Sequence, residues 1–509
     1  MDLGTSACKV ALTTTEGTLI HSVAEPHPLH LTPDGGAEQN PHEWWHTLTC
    51  AVRRLLDEVN IPREQVRAIV STAQWAGTVP VDAQGEPLGN ALIWMDTRGA
   101  PHIRELIGGF PSFEGYQLSK LWHWLRLTGG APTRSGKDPL AHLLYLQRED
   151  PNRYRAAHKF LEPVAYLNFR LSGRWVCSYE TITLHWLTDN RNLQRVDYHP
   201  TLLQIAGIPR EKLPDLVPPT TVLGHLVPKV AQEWGLSAET QVVVGTPDLH
   251  ASAIGSGGVL DYVPHLALST SDWITCHVPF KRTDLLHNMA SLPAGIPNRY
   301  FIANEQETAG ACLEFLRVQI LGWDCTPQEA YHRMDTLAER VPPGSDGLLF
   351  TPWLVGERTP VENHRLRGGF HHLALHHTQA HLIRAVMEGV ALNARWLLGA
   401  VERFTRRRLE PIRLIGGGAN SSLWCQMIAD ILGRAVLQMA QPQSATVRGA
   451  GMLASVAMGW SDWQTLADTV PVQATFSPNP VNRTLYDELY TEFQRLYRME
   501  RRWAKHQRG

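Results

Sequence analysis

The sequence predicts an α/β protein of two domains with a cleft between them, and three observations carry that expectation. At 509 residues the chain is too long for a single hydrophobic core. Val242-Val243-Val244 reads as a strand buried on both faces, ended by Gly245 and Pro247, with a carboxylate, Asp248, just past its carboxyl end. Finally, two apolar strands run into Ser/Thr bends, at Gly4-Thr5-Ser6 and at Ser269-Thr270-Ser271, about 265 residues apart and one per half. The division falls at 1–243 and 244–509. Ligands of open α/β sheets sit at the carboxyl ends of strands, and small-molecule sites favour clefts between domains.

Composition narrows the function. With 43% hydrophobic and 19% charged residues the chain is a globular protein, and no apolar run approaches the length of a membrane span. A net charge of −2 supplies no field for gathering nucleic acid or an anionic membrane. Seven Cys lack C-x-x-C spacing, so neither zinc nor a disulfide framework is expected, and the compartment expected is the cytosol. His371-His372 and His376-His377 have no acidic or Cys partners at ligand spacing and read as surface or helix-entry residues.

In chain order, Asp2-Leu3 leads through Gly4, Thr5 and Ser6 into Cys8-Lys9-Val10-Ala11-Leu12, and Glu16-Gly17 turns the chain back through Leu19 to Val23. Such a bend turns backbone N–H groups toward a phosphate, or is an ordinary hairpin. With Met1 directly before Asp2, the first strand is expected to be frayed. Residues 41–59 form an amphipathic helix with Trp44, Leu48, Val52, Leu55 and Leu56 inward. Val66–Ser71 is a strand that ends at Gln74-Trp75-Ala76-Gly77. Leu92-Ile93-Trp94 precedes Asp96 and Arg98, a pair that either binds a polyhydroxylated substrate or forms an internal salt bridge. Residues 139–173 read as helices, with Tyr154, Phe160, Leu161, Tyr166, Leu167 and Leu171 in the core.

In the second half, Asp248 reads by itself either as a cap of the small-residue helix after it or as a chemical group. The longest helix runs from Gln379 to about Phe404. Ile412–Ile415 is a strand, and Gly416-Gly417-Gly418-Ala419-Asn420-Ser421 joins it to a helix over 423–432. Three glycines there let backbone approach a flat or anionic ligand, although the spacing is not the dinucleotide G-x-G-x-x-G. Residues 445–459 form a small-residue helix suited to tight packing beside that loop.

Taken together, the chain resembles the FGGY family of carbohydrate kinases. The resemblance rests on Asp2-Leu3-Gly4-Thr5-Ser6, Ile93-Trp94-Met95-Asp96-Thr97-Arg98, Ser135-Gly136-Lys137-Asp138-Pro139-Leu140, Gly356-Glu357-Arg358-Thr359-Pro360, Arg367-Gly368-Gly369-Phe370, Glu388-Gly389-Val390 and the Gly416–Ser421 run. Ser135–Leu140 is most similar to xylulokinase-like members. The resemblance implies two RNase H-like domains of the actin/hexokinase/Hsp70 type, closing on ATP·Mg²⁺ and a sugar or polyol, and it leaves a homodimer open. It implies Asp248 as general base, Asp2 at the hydrated Mg²⁺, and Gly4, Thr5, Ser6 and Thr270 around the phosphates. Gly416, Gly417, Gly418 and Ala419 would pack on adenosine with Asn420 nearby, and Gln74, Trp75 and Asp96 would line the sugar pocket. Ser269 stands where the family usually has Gly, and Asp272 follows the second loop. A carboxylate at Asp272 would repel a triphosphate unless it points away or meets the metal, and Ser269, Asp272 and the short lead into Asp2 motivate an alternative: a catalytically impaired relative that serves as a sugar- or nucleotide-binding sensor or scaffold.

Overall fold

The computed structural model describes residues 1–504. Two mixed sheets organise the chain. The first contains β1 (Asp2–Leu3), β2 (Ala7–Thr13), β3 (Leu19–Pro26), β4 (Ala68–Ala73), β5 (Val222–His225) and β6 (Gln241–Pro247), in the order β5-β6-β4-β1-β2-β3. Its centre, β6-β4-β1, is parallel, and the flanking pairs are antiparallel. The second sheet contains β7 (His265–Leu268), β8 (Asp272–Thr275), β9 (Ile412–Ile415), β10 (Val436–Met439) and β11 (Val472–Phe476), in the order β8-β7-β9-β10-β11. Again a hairpin adjoins a parallel centre, β7-β9-β10, and an antiparallel edge strand closes it.

The triple valine is explained by alternation across β6. Val242 and Val244 enter the core of the first half, whereas Val243 joins a cluster with Val70, Ile254, Ala267, Ile415 and Met439 that ties the two halves together. β6 also spans the expected 243/244 division, and its pairing with β4 runs from Gln241 opposite Ala68 to Pro247 opposite Ala73.

Helices cover the sheets. α1 (Pro41–Glu58) starts at Asn40, whose side chain accepts a bond from His42 N–H, and buries Trp44, Leu48, Val52, Leu55 and Leu56. α2 (Pro163–Ser172) packs under β6. Residues 139–173 are not wholly helical: Lys159–Leu161 pairs with Val79–Val81 as a strand, which sinks Phe160 and Leu161 completely. α3 (Asp248–Gly255) follows β6, while α4 (Gln379–Thr405) and α5 (Ser422–Leu432) cover the second sheet. α6 (Ala445–Ala457) lies against α3, at backbone contact. A Cβ on Gly255 would stand 1.8 Å from Ala445 O, and one on Gly449 would stand 1.8 Å from Ala251 O. Small residues in both helices permit this approach, and they join the helix that follows the first sheet to one from the second half of the chain that also packs on β2 and β4.

β1 is short but not frayed. The Met1 amino group donates to Val70 O at 2.9 Å, and Met1 O accepts from Thr72 N–H at 2.7 Å. None of the described helices is long and apolar enough to cross a membrane.

Candidate active site

Parallel strands bring their carboxyl ends to one rim of the sheet. Leu3 and Pro247 both lie opposite Ala73, so Gly4, Gln74 and Asp248 emerge side by side. A register shift between Val243 and Thr246 produces this alignment, and it passes through Gly245. Glycine is required there because a Cβ would stand 2.4 Å from Ser71 O.

Asp248 is the first residue of α3, and the cap position before it belongs to Pro247. Its one side-chain hydrogen bond accepts Leu249 N–H at 2.8 Å, so it is not the cap of this helix. Burial pushes its pKa up to about 8, and the charges of Asp2 and Glu305 add to the rise. Asp2 is itself raised to about 6 by burial, against the pull of Lys9. Oδ1 of Asp2 is buried and has no hydrogen-bond donor. An orphan carboxylate oxygen that shares a site with a second carboxylate suits a hard cation, which takes few protein ligands and keeps its waters.

The first loop is built into a hydrogen-bonded frame. Thr5 O–H donates to Gln74 Oε1 at 3.2 Å, Trp94 Nε1–H donates to Thr5 Oγ1 at 3.0 Å, and Gln39 Nε2–H donates to Thr5 O at 2.7 Å. His27 Nε2 meets Gly4 O at 2.9 Å, while Ser6 is exposed. Gln74 also donates to Gln39 Oε1 at 2.7 Å, so both ends of its amide are engaged beneath the loop. Trp75 is buried, with Nε1–H on Thr181 O and its ring edge-on to His250 at 5.1 Å.

Asp96 departs from the expected sugar-lining role. It is fully buried and accepts from Ala37 N–H at 3.0 Å and from the Arg98 guanidinium at 2.6 Å. Arg98 reaches on to Glu38 at 2.6 Å. Asp96 is thus the inner half of an internal salt bridge. The polar atoms of all three expected pocket side chains, Gln74, Trp75 and Asp96, are committed to protein partners.

The second loop and the glycine run are neighbours because β7 and β9 are adjacent and parallel. Ser269 and Thr270 are exposed between two close approaches: a Cβ on Gly416 would meet Leu268 O at 2.4 Å, and one on Gly310 would meet Ser269 O at 2.5 Å. Gly417 is exposed, and nothing lies within 4 Å of the Cβ it would carry. Gly417→Val is therefore expected to leave the fold intact and weaken nucleotide binding at least about tenfold, since the side chain projects into the open site. Calorimetric titration checks this, and unchanged nucleotide affinity would remove the loop from the site. Ala419 departs from its expected place on the ligand: its side chain is buried and its carbonyl accepts from Gln438 Nε2–H at 2.6 Å. Asn420 is exposed and ties back to Gly417 O at 3.0 Å.

Asp272 points inward: it is 1% exposed, and neither carboxyl oxygen has a donor. Burial, together with the charges of Glu357 and Glu305, pushes its pKa well above the usual carboxylate range. A neutral acid in the protein interior does not repel phosphates outside it. Asp272→Asn should then change nucleotide affinity less than about twofold, whereas a many-fold tightening would mean that a charge faces the phosphates after all.

Several charged residues at the cleft escaped the reading of the sequence. Lys9 lies opposite Asp2 in the β1–β2 register, and its ammonium donates to Gln443 O in the second half. Gly416 N–H bonds Pro442 O at 3.1 Å, so Lys9 links Asp2 to the glycine loop. Hairpin register was the available signal. Arg358 pairs with Glu305 and with Glu307, the latter at 2.9 Å, and Lys137 of the first half lies 3.8 Å from Glu307. No local pattern announces these pairs, and the one between Lys137 and Glu307 forms only when the two halves meet.

Two mixed sheets, each with an antiparallel hairpin beside a parallel centre, a carboxylate of raised pKa at their junction and a phosphate-loop candidate on each side define a phosphotransferase cleft. Residues 1–255 match the N-terminal domain of the FGGY family of carbohydrate kinases, and residues 276–458 match its C-terminal domain. The chain belongs to this family, and its members use ATP and, in general, a divalent metal. It is 28% identical over 512 residues to a xylulose kinase of Staphylococcus epidermidis, spanning 98% of this chain and 96% of that protein. A gluconokinase of Bacillus subtilis is 27% identical over 439 residues, spanning 85% of this chain and 82% of that protein. The crystal structure described as a xyloylose kinase from Brucella ovis superposes with a TM-score of 0.85 at 25% identity, covering 98% of both chains.

Proposed function

We propose that this carbohydrate kinase transfers the γ-phosphoryl group of ATP to a hydroxyl of a ketopentose such as xylulose. The observation that carries the reading is Asp248, a carboxylate of raised pKa at the carboxyl rim of the first sheet, beside Asp2 and facing Glu305 of the second half. Asp248 accepts the proton of the attacking hydroxyl as the new O–P bond forms and the bond to the ADP oxygen breaks. Gly4, Thr5, Ser6 and Thr270 present backbone N–H and hydroxyl groups to the phosphates from the two loops. Gly416, Gly417 and Gly418 form the bed for adenosine, with Asn420 beside it, and Trp75 borders the sugar pocket. Asp2, with its unpartnered Oδ1, would hold a hydrated Mg²⁺, which when bound offsets the charge that builds up on the transferring group. Little else is needed, because phosphoryl transfer depends chiefly on positioning and charge neutralisation.

The ketopentose is supported by the 28% identity to the xylulose kinase relative over 98% of this chain, against 26–27% for gluconokinase relatives that span 85–98% of it. Steady-state turnover over pentuloses, hexuloses, polyols and gluconate tests this. Xylulose is expected to give the highest kcat/KM, and a clear preference for gluconate would overturn the substrate assignment while leaving the reaction class in place.

A further inference from the structure

Beyond helix packing, the two halves also meet through charges. Lys137 stands on a loop of the first half that has little freedom to move. Gly136 takes a φ of 84°, and a Cβ there would stand 2.4 Å from Ala100 N. Asp138 is buried and accepts from Thr133 N–H at 2.6 Å and from Trp186 Nε1–H at 2.8 Å. The Lys137 ammonium is thereby carried over the ring of Trp94, 5.7 Å from its centroid. Trp94 is the residue whose Nε1–H donates to Thr5 Oγ1 at 3.0 Å, so one indole links Lys137 to the first phosphate loop.

On the other side of the cleft Lys137 meets Glu307, at 3.8 Å. Glu307 belongs to the segment that backs the second phosphate loop. Just before it, Gln306 N–H donates to Asp272 O at 2.8 Å. Just after it, Ala309 N–H donates to Thr270 O and Gly310 N–H to Ser269 O, both at 2.8 Å. Within the second half Glu305 and Glu307 share one guanidinium, that of Arg358. Two carboxylates on one cation leave a negative charge to be answered from outside, and Lys137 answers it. The side chains of Lys137 and Glu307 are 26% and 9% exposed, so solvent and salt weaken this pair less than one on an open surface.

We infer that Lys137 is a positioning residue for phosphoryl transfer: its ammonium, braced on Trp94, clasps Glu307 and sets the distance between the two phosphate loops. The inference rests on the phosphate roles given above to Gly4, Thr5, Ser6 and Thr270. The line of contacts runs from Thr5 through Trp94, Lys137 and Glu307 to the backbone that fixes Ser269 and Thr270. Cut at Lys137, each loop keeps its own frame while the two drift relative to each other. A transfer that depends on alignment is sensitive to shifts of about 1 Å.

The test uses variants of the full-length protein. Lys137→Met keeps a stem over Trp94 and removes the charge; it is expected to lower kcat about tenfold while the KM for sugar stays within about twofold. Lys137→Arg restores a cation that both stacks on an aromatic face and pairs with a carboxylate, and should keep at least about half of the parent kcat. Glu307→Gln can still accept from Arg358 and should match Lys137→Met. The double variant should be no slower than the slower single one, because both changes remove the same pair. Hydrogen exchange reads the clasp without turnover: in Lys137→Met the Ala309 and Gly310 amides should exchange at least about threefold faster than in the parent. A parent that phosphorylates no sugar would sink the proposed reaction, and the exchange rates would still decide the clasp. Parent-like kcat and exchange in Lys137→Met would overturn the inference, as would losses that multiply in the double variant. A raised sugar KM at unchanged kcat would overturn it too, by making Lys137 a ligand of the sugar.

Discussion

Asp248→Asn is expected to fold normally and to lose sugar-dependent turnover by a factor on the order of 10²–10⁴, because an amide does not accept the hydroxyl proton. Asn preserves shape and still accepts the bond from Leu249 N–H, so circular dichroism and Tm should match the parent. A pH profile separates a base from a structural group. The pKa of Asp248 is raised to about 8 chiefly by burial, and a base works only when deprotonated. The kcat/KM for sugar should therefore fall as pH drops through this pKa, with its acid limb well above the ordinary carboxylate value of about 4. In Asp248→Asn that limb should disappear. Parent-like turnover in the variant would make Asp248 merely the residue that starts α3.

Gly449→Val is expected to be the most destabilising substitution at the junction of the two halves. Its Cβ would stand 1.8 Å from Ala251 O, a backbone atom that cannot swing aside, and both helices would have to separate. Overpacking commonly costs about 1–3 kcal/mol, and a clash with backbone belongs at or above the upper end. Since α3 begins with Asp248, turnover should fall together with stability. Gly399→Ala in α4 is the control: its Cβ meets nothing nearer than Arg403 Nη1 at 3.6 Å, and helix propensity favours alanine. Urea denaturation of both checks the contrast, and a Gly449→Val protein as stable as the parent would mean that α3 and α6 do not approach this closely.

The main lines of the fold were legible because its signals are local. Val242–Val244 is a strand in isolation, Gly245 and Pro247 end it, and the rule that ligands gather at carboxyl rims then points to Asp248. The Gly416–Gly418 run likewise lies between a strand and a helix in sequence as in space. What failed depends on partners. Asp96 beside Arg98 reads equally as a sugar ligand or a salt bridge, and only the fold brings Ala37 N–H and Glu38 up to that pair. The side of β8 from which Asp272 projects is an even choice from alternation, and burial against Gln306 and Glu357 decides it. Lys159–Leu161 reads as helix until Val79–Val81 arrives beside it. α6 promised close packing, but its partner α3, about 190 residues earlier, could not be named from spacing alone.

The most direct measurement follows the phosphoryl group itself. The protein is incubated with γ-labelled ATP, Mg²⁺ and xylulose, and both ADP and labelled sugar phosphate are quantified over time. Formation of labelled sugar phosphate in one-to-one ratio with ADP, dependent on the sugar and lost in Asp248→Asn, is the predicted result. Release of ADP with label appearing only as inorganic phosphate, for xylulose and for every other sugar offered, would contradict the account.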